Sequence, residues 1–173
     1  MRWLTLIPLL LSILLMGCSS QTIAKPAVDT TISPLPEANL GQTLPISAKA
    51  TVPNGTIIEL EVARTSEQQQ MGLMYRPALP ENRGMLFPFA SPQPIKFWMK
   101  NVPVALDMVF LQNGVVKYIE AAAPPCAKEP CPIYGPDIPI DAVIELRAGR
   151  AAELNLRSGD SIKIEFPNIG ISQ

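Results

Sequence analysis

The amino-acid sequence predicts a mainly β fold: a single compact β-sandwich or partly open barrel with one short helix. Three observations support this. Runs of alternating polarity recur between residues 46 and 168, two Asn-Gly dipeptides separate pairs of such runs, and the 173 residues include 19 prolines and 10 glycines. Many short strands divided by turn signals are typical of sandwiches and barrels, whereas proline disfavours long helices.

Each Asn-Gly dipeptide predicts a β-hairpin, because both positions of the tight turn need a positive φ angle. The predicted hairpin strands are Ile46–Val52 with Thr56–Val62 around Asn54-Gly55, and Leu106–Leu111 with Val115–Ala121 around Asn113-Gly114. Other short apolar runs predict strands at Met85–Phe87, Ile95–Met99, Ala142–Leu146 and Ser161–Phe166. The domain therefore contains at least eight predicted strands.

One helix is predicted between the first hairpin and the central strands. Thr65 or Ser66 can cap its N-terminus, Glu67 lies favourably in its first turn, and Gly72 can end it. A shorter helical turn is expected over Gly149–Leu154.

The N-terminus reads as a targeting segment. Arg2 precedes an apolar run from Leu4 to Met16, which is too short to cross a bilayer, since about 20 apolar residues are needed. The sequence Leu15-Met16-Gly17-Cys18 resembles the bacterial lipobox. This resemblance implies cleavage before Cys18, lipidation of Cys18, and a membrane-anchored lipoprotein outside the cytoplasm, in the bacterial envelope. The alternative is a plain signal peptide with a chance cysteine.

The predicted domain organisation follows from that segment. Residues 1–17 are the lipoprotein signal peptide, and residues 18–45 are the lipidated cysteine and a flexible tether rich in Ser, Thr, Pro and Ala. Such a composition buries too little apolar surface to offset the entropy of ordering the chain. Residues 46–168 form the β-domain and residues 169–173 a tail.

Composition excludes several classes of function. The formal net charge of −1 argues against a nucleic-acid partner, because neutralising phosphates needs a basic patch. The chain has no histidine, so Ser/His and Cys/His catalysis and the usual zinc sites are excluded. No phosphate-binding loop or nucleophile elbow is present. Asp107 and Glu120 can in principle act as acid and base, but their spacing does not bring them together. We expect no cofactor, and an enzyme is the less favoured class.

The stretch from Arg64 to Phe110 carries a distinctive set of motifs. They are Gly72-Leu73-Met74-Tyr75-Arg76, Gly84-Met85-Leu86-Phe87, Phe97-Trp98-Met99-Lys100-Asn101 and Leu106-Asp107-Met108, followed later by Pro125-Cys126, Pro130-Cys131-Pro132 and Gly159-Asp160. Together they resemble the domain-of-unknown-function family 192, small secreted or membrane-associated proteins of bacteria and archaea. The resemblance covers about residues 56–167. It implies a compact, mainly β domain and no established activity.

Asp107 is a candidate binding residue, because an ionised carboxylate within an apolar strand needs a partner. With a period of two, Asp107 shares one face of its strand with Val109 and Leu111. The basic side chains predicted to lie within ion-pair distance of it are Arg64, Arg76 and Lys100. The alternatives are a charged pocket floor and a structural ion pair or backbone-bonded aspartate.

The sequence Trp98-Met99-Lys100-Asn101 suggests the rest of a binding site. An aromatic wall beside a cation and an amide can hold a small polar ligand, although core packing explains the aromatic residues as well. The candidate ligand-binding residues are thus Arg64, Arg76, Trp98, Lys100, Asn101 and Asp107.

Five of the seven methionines lie between residues 71 and 108. They are Met71, Met74, Met85, Met99 and Met108. Thioethers favour Cu(I), but methionine is also an ordinary filler of irregular cores. The core interpretation is preferred, and no metal site is predicted.

With Cys18 lipidated, Cys126 and Cys131 remain as an even pair. In an oxidising compartment this favours a disulfide within an exposed, proline-rich loop. A redox-active dithiol is the rival interpretation, but the spacing is not Cys-x-x-Cys.

The sequence favours a lipid-anchored β-domain outside the cytoplasm that binds a small polar ligand, a glycan or an envelope protein. The alternative is a structural or assembly accessory of the envelope with no ligand. A Cu(I)-binding protein and an unrecognised hydrolase are less favoured.

Overall fold

The computed structural model describes residues 41–167. The predicted signal peptide, Cys18, most of the tether and the C-terminal tail lie outside the described residues. Within residues 41–167, no helix is long and apolar enough to span a bilayer.

The described chain is mainly β, as predicted, but it has two short helices instead of one. The strands are β1 (Ile46–Thr51), β2 (Ile57–Val62), β3 (Arg83–Pro94), β4 (Phe97–Trp98), β5 (Leu106–Gln112), β6 (Val115–Ala123), β7 (Ile133–Tyr134), β8 (Pro139–Arg147) and β9 (Lys163–Glu165). The helices are α1 (Ser66–Met71) and α2 (Arg150–Glu153). Helix α2 replaces the predicted turn at Gly149–Leu154.

Seven strands form one curled sheet in the order β6-β5-β8-β3-β2-β1-β9, and β4 pairs with β7 in a separate small sheet. Both predicted Asn-Gly hairpins are present, as the antiparallel pairs β1–β2 and β5–β6. Strands β2 and β3 are parallel, so residues 63–82 must cross over between them and carry α1 on the way. The crossover places α1 on one face of the sheet.

The two edges of the large sheet meet at one end. Val115 at the start of β6 forms an isolated antiparallel bridge with Ser161, and the amide of Val116 donates to the carbonyl of Asp160 at 2.8 Å. The amide of Ile162 donates to Gly114 at the same distance. The sheet is therefore a partly closed barrel, one of the two architectures predicted.

Each face of the sheet has its own apolar cluster. The barrel-face cluster includes Ile58, Leu60, Leu86, Val109, Leu111, Val116, Ile144, Leu146 and Ile162. The opposite, cavity-face cluster includes Leu73, Met85, Phe87, Met99, Leu106, Met108, Phe110, Ile140 and Val143. Strand β5 alternates between the two clusters, so the predicted period of two is confirmed there.

Tight packing on the barrel face explains one glycine. A Cβ added to Gly84 would lie 2.9 Å from the Cδ2 of Leu60 and 3.0 Å from the Cδ2 of Leu146. Gly84 thus permits the close approach of β3 to its neighbours.

Several predicted boundaries differ from the structure; the strand predicted at Met85–Phe87, for example, extends over Arg83–Pro94. The predicted strand Ile95–Met99 pairs only at Phe97 and Trp98, because its partner β7 is a two-residue strand in a proline-rich segment that offers few amides. Gln42 and Leu44, predicted to belong to the tether, hydrogen-bond to the domain, so its contacts begin near Gly41.

Candidate functional site

A cavity of about 960 Å³ opens on the cavity face of the sheet. Its walls include Leu73, Met74, Phe87, Phe89 and Phe97, its rim includes Trp98, Lys100 and Asn101, and Glu145 also lines it. Mostly apolar walls with a few polar groups are typical of small-molecule sites.

Helix α1 forms one wall of the cavity and is fixed by local chemistry. Thr65 caps it through a reciprocal capping box with Gln68, and Gly72 ends it at φ 45°. The side-chain amide of Gln69 donates to the carbonyls of Ala63 and Pro88 at 3.2 and 2.9 Å, which fixes the helix to the end of β2 and to the middle of β3. The predicted cap and end of this helix are confirmed.

Glu145 is a buried acid in the lining of the cavity. It lies on β8 between Met85 of β3 and Met108 of β5, which are its direct register partners. Only 4% of the residue is exposed, and its Oε2 atom has no hydrogen-bond partner. Burial raises the pKa of Glu145 from 4.5 to about 8.

The rim combines an exposed aromatic ring with a paired cation. Trp98 is 50% exposed, and the Nζ atom of Lys100 lies 5.6 Å from the centroid of its ring. Lys100 also pairs with Glu129 at 2.6 Å, and this hydrogen bond raises the pKa of Lys100. Trp98 and Lys100 are thus brought together at the cavity, as the sequence predicted.

Two residues beside the rim adopt a left-handed backbone conformation. Asn101 has φ 57° and Tyr75 has φ 61°, and the amide of Tyr75 donates to the carbonyl of Asn101 at 2.8 Å. This conformation is uncommon for a residue as bulky as tyrosine, and such strain concentrates at binding and catalytic sites. The side-chain amide of Asn101 contacts the sulfur of Met74 at 3.9 Å.

Asp107 does not belong to this site. It lies on the opposite face, with no exposed surface, and accepts backbone hydrogen bonds from Ala122, Gly149 and Ala151 at 2.8, 3.1 and 2.8 Å. The predicted ion pair with Arg64, Arg76 or Lys100 is therefore wrong. Three amides satisfy the carboxylate without a cation, and the backbone-bonded alternative is the one observed.

Arg76 and Arg64 also lie away from the cavity lining. Arg76 forms a bidentate pair with Glu61 at 2.8 and 2.9 Å, and Glu61 additionally accepts the amide of Leu44. Arg64 stacks over the ring of Phe166 at 5.1 Å. Both arginines are engaged elsewhere, which removes them from the predicted binding set.

The five methionines share the cavity face, although their spacing in sequence gave no common face. Met85, Met99 and Met108 are buried in the cavity-face cluster, whereas Met71 and Met74 line the cavity. Among residues 41–167, no group of three or more His, Cys, Asp or Glu side chains can hold a metal ion.

The predicted disulfide between Cys126 and Cys131 is confirmed, with Cα atoms 5.4 Å apart. The amide of Cys126 donates to the carbonyl of Met99 at 3.2 Å. The crosslinked loop is thereby attached to the segment that carries Trp98 and Lys100.

Sequence reasoning missed Glu145, the most unusual polar group of the site. The available signal was a single acid within the otherwise apolar run Val143–Leu146, the same signal that singled out Asp107. Predicting which of the two acids is left unpaired requires the positions of loop amides, which only the tertiary structure supplies.

Comparison with known proteins identifies the family to which this fold belongs. The family model described as DUF192, an uncharacterized ACR, matches residues 49–164. The chain belongs to the DUF192 family. The resemblance read from its motifs is thus confirmed, and the family brings no assigned activity.

Two solved structures are similar. One, from Sinorhizobium meliloti 1021, has a description that suggests a transcription regulator; its TM-score is 0.63 at 30% identity, over 71% of this chain and 97% of that one. The other, a protein of unknown function from Novosphingobium aromaticivorans DSM 12444, has a TM-score of 0.59 at 34% identity, over 68% of this chain and 83% of that one. No curated protein matches the sequence.

Proposed function

We propose that this DUF192 protein is a lipid-anchored, extracytoplasmic domain that binds a small molecule in the cavity bounded by α1 and β4. One observation carries the proposal: an open, largely apolar cavity has a buried carboxyl in its lining whose Oε2 atom lacks a partner. A buried polar atom without a hydrogen bond costs about 1–3 kcal/mol, and a bound ligand can supply the missing bond.

The rim supports ligand binding over a purely structural role. Trp98 leaves half of its surface exposed beside the opening, where a flat apolar ring can stack on a ligand. The strained pair Tyr75 and Asn101 lies next to it. By contrast, Asp107 and Arg76 already have partners within the domain: Asp107 accepts backbone amides, and Arg76 pairs with Glu61. Neither needs a ligand to complete its hydrogen bonds.

The proposed location rests on two features. The lipobox-like sequence ending at Cys18 implies an envelope lipoprotein, and a disulfide between Cys126 and Cys131 persists in oxidising compartments. The membrane is then a partner through the lipid anchor.

Binding can be tested by native mass spectrometry of the full chain extracted from its own envelope. We expect a retained small molecule on the wild-type protein and its loss from Trp98→Ala. The control is Phe166→Ala, because Phe166 is also about half exposed and contacts Arg64 outside the cavity lining. A wild-type protein without bound mass would instead favour the ligand-free accessory role, and a bound protein or glycan would replace the small molecule as partner.

Anchoring can be tested separately by labelling cells with a fatty-acid analogue. The wild-type protein should take up label and Cys18→Ser should not. Equal labelling of both proteins would show that Cys18 is not the lipidated residue.

The description of the Sinorhizobium meliloti structure raises gene regulation as another role. This chain offers no support for it: its net charge is −1, and the helices described in residues 41–167 have six and four residues. The helices described in this range are thus too short to serve as an ordinary recognition helix, and the net charge provides no overall attraction to DNA.

A further inference from the structure

We propose that the ligand of the cavity carries an ammonium group that pairs with the carboxyl of Glu145 among the aromatic residues of the wall. This inference rests on the proposed function and specifies the chemical class of the ligand. It depends on the surroundings of Glu145, the charge balance of the cavity lining and the rings that flank the opening.

Within the described residues 41–167, Glu145 has no cationic partner. Its neighbours across the sheet on the same face are Met85 and Met108, which offer no hydrogen-bond donor. None of the ion pairs formed within residues 41–167 includes Glu145. An ammonium group supplies both the missing N–H donors and the opposite charge.

The charged groups in the cavity lining leave a negative balance. They are Glu67 on α1, Lys96 and Lys100 near β4, and Glu145 on β8. Lys96 pairs with Asp137 at 2.7 Å and Lys100 with Glu129 at 2.6 Å, so both lysines are already neutralised. Glu67 remains as a negative charge, and Glu145 adds a second one when it loses its proton, so the lining favours a cation over an anion.

The aromatic residues add a second attraction for a cation. Phe87, Phe97 and Trp98 all line the cavity. Aromatic faces attract ammonium groups, more strongly when water is excluded. Trp98 already does so at the rim, where the ammonium of Lys100 lies 5.6 Å from its ring centroid.

Binding of an ammonium group is coupled to the loss of one proton from Glu145. Burial keeps Glu145 protonated up to about pH 8 in the empty cavity. The incoming cation requires the carboxylate, so the proton leaves to solvent as the ion pair forms. Affinity should therefore rise roughly 50-fold from pH 6 to pH 8 and level off above it. Of the other lining groups, Glu67 has a lowered pKa because it accepts a backbone hydrogen bond at the start of α1, and Lys100 has a raised pKa because it pairs with Glu129, so both keep their charges over this range.

The experiment uses the protein extracted from its own envelope in detergent. The substitution Trp3→Phe makes Trp98 the only tryptophan whether or not residues 1–17 have been removed. Fluorescence of Trp98 is titrated with 2-phenylethylammonium and with its neutral analogue 2-phenylethanol at pH 6, 7 and 8. We expect tighter binding of the ammonium at pH 8 and a pH-independent affinity for the alcohol.

Two variants assign the effect to Glu145. Glu145→Gln should weaken binding of the ammonium at pH 8 by at least about tenfold and leave binding of the alcohol unchanged, which also shows that the variant is folded. The control, Glu120→Gln, removes an acid outside the cavity and should change neither. Equal binding of both probes, without a response to pH or to Glu145→Gln, would overturn the ammonium assignment and leave the cavity as a binding site. If neither probe binds, the ammonium assignment fails, and native mass spectrometry decides the proposed function independently.

Discussion

Each face of the sheet holds a buried acid, and the two acids differ in their hydrogen bonds. Asp107 on β5 and Glu145 on β8 lie on neighbouring strands, offset by one residue in register, and point to opposite faces. Asp107 accepts three backbone amides, whereas Oε2 of Glu145 accepts none. Burial alone thus does not distinguish a structural acid from a binding one; the distinction lies in whether the fold supplies the donors.

The structural role of Asp107 explains other local features. Its carboxylate holds the amides of Gly149 and Ala151 at the start of α2 and the amide of Ala122 near the end of β6. Ala122 has φ 51°, a left-handed conformation that is rare for alanine and is fixed here by the bond to Asp107. One side chain therefore joins three segments that are distant in sequence.

The largest loss of stability is expected for Asp107→Ala. It removes three charge-assisted hydrogen bonds and leaves their amides unpaired, so the free energy of unfolding should fall by roughly 3–5 kcal/mol. Urea denaturation measures this value. Asp160→Ala is the control, because Asp160 accepts the amide of Arg157 at an exposed turn and should cost about 1 kcal/mol or less. If Asp107→Ala and Asp160→Ala lost the same free energy of unfolding, the hydrogen bonds of Asp107 would not be structurally important. The contrast between a structural Asp107 and a ligand-binding Glu145 would then fail.

Much of the fold was predictable because its signals are local. The Asn-Gly turns, the alternation along Leu106–Leu111 and the cap at Thr65 each depend on residues close in sequence. The ion pair of Asp107 was predicted wrongly because its partners are backbone amides, which no residue type reveals. Of the predicted binding residues, Trp98, Lys100 and Asn101 line the cavity together, since they are close in the chain.

The second prediction concerns how the free energy of unfolding depends on pH through Glu145. The pKa of Glu145 in the folded state, about 8, is above its ordinary value of 4.5, so folding favours the protonated acid. Its contribution to stability is present at low pH and is lost as the pH rises towards 8. Between pH 4.5 and 7 this amounts to roughly 3 kcal/mol in the free energy of unfolding.

Glutamine cannot ionise, so Glu145→Gln should not lose this stability at high pH. The variant should therefore become more stable relative to wild type as the pH increases. Urea denaturation at several pH values measures the difference between the two proteins. Glu120→Gln serves as the reference, since Glu120 is outside the cavity and bonded to Tyr118. A constant difference between Glu145→Gln and wild type from pH 4.5 to 8 would contradict the assignment of Glu145 as a buried protonated acid.

A smaller effect is expected for the disulfide that supports the cavity side. Replacing Cys126 and Cys131 together with serine should lower the free energy of unfolding by ~2 kcal/mol, because the closed loop is short. Thermal unfolding with and without reductant measures the change. In protein trapped directly from cells, mass mapping should show the two cysteines joined; free thiols at both positions would contradict this. The barrel face should be little affected, since the loop is fixed to Met99 on the cavity side.

The smallest effect is expected for the buried methionines. Met85 and Met99 are at most 1% exposed and belong to the cavity-face cluster, so we interpret them as core side chains. Met85→Leu and Met99→Leu conserve volume and should each cost less than about 1.5 kcal/mol, whereas Met85→Ala should cost about 2–5 kcal/mol because it leaves a cavity. Metal content measured alongside stability tests the rival interpretation. If the wild-type protein carries stoichiometric Cu(I) that both leucine variants lose, the sulfur atoms bind metal, and the cavity face would be a copper site next to Glu145 instead of an apolar wall.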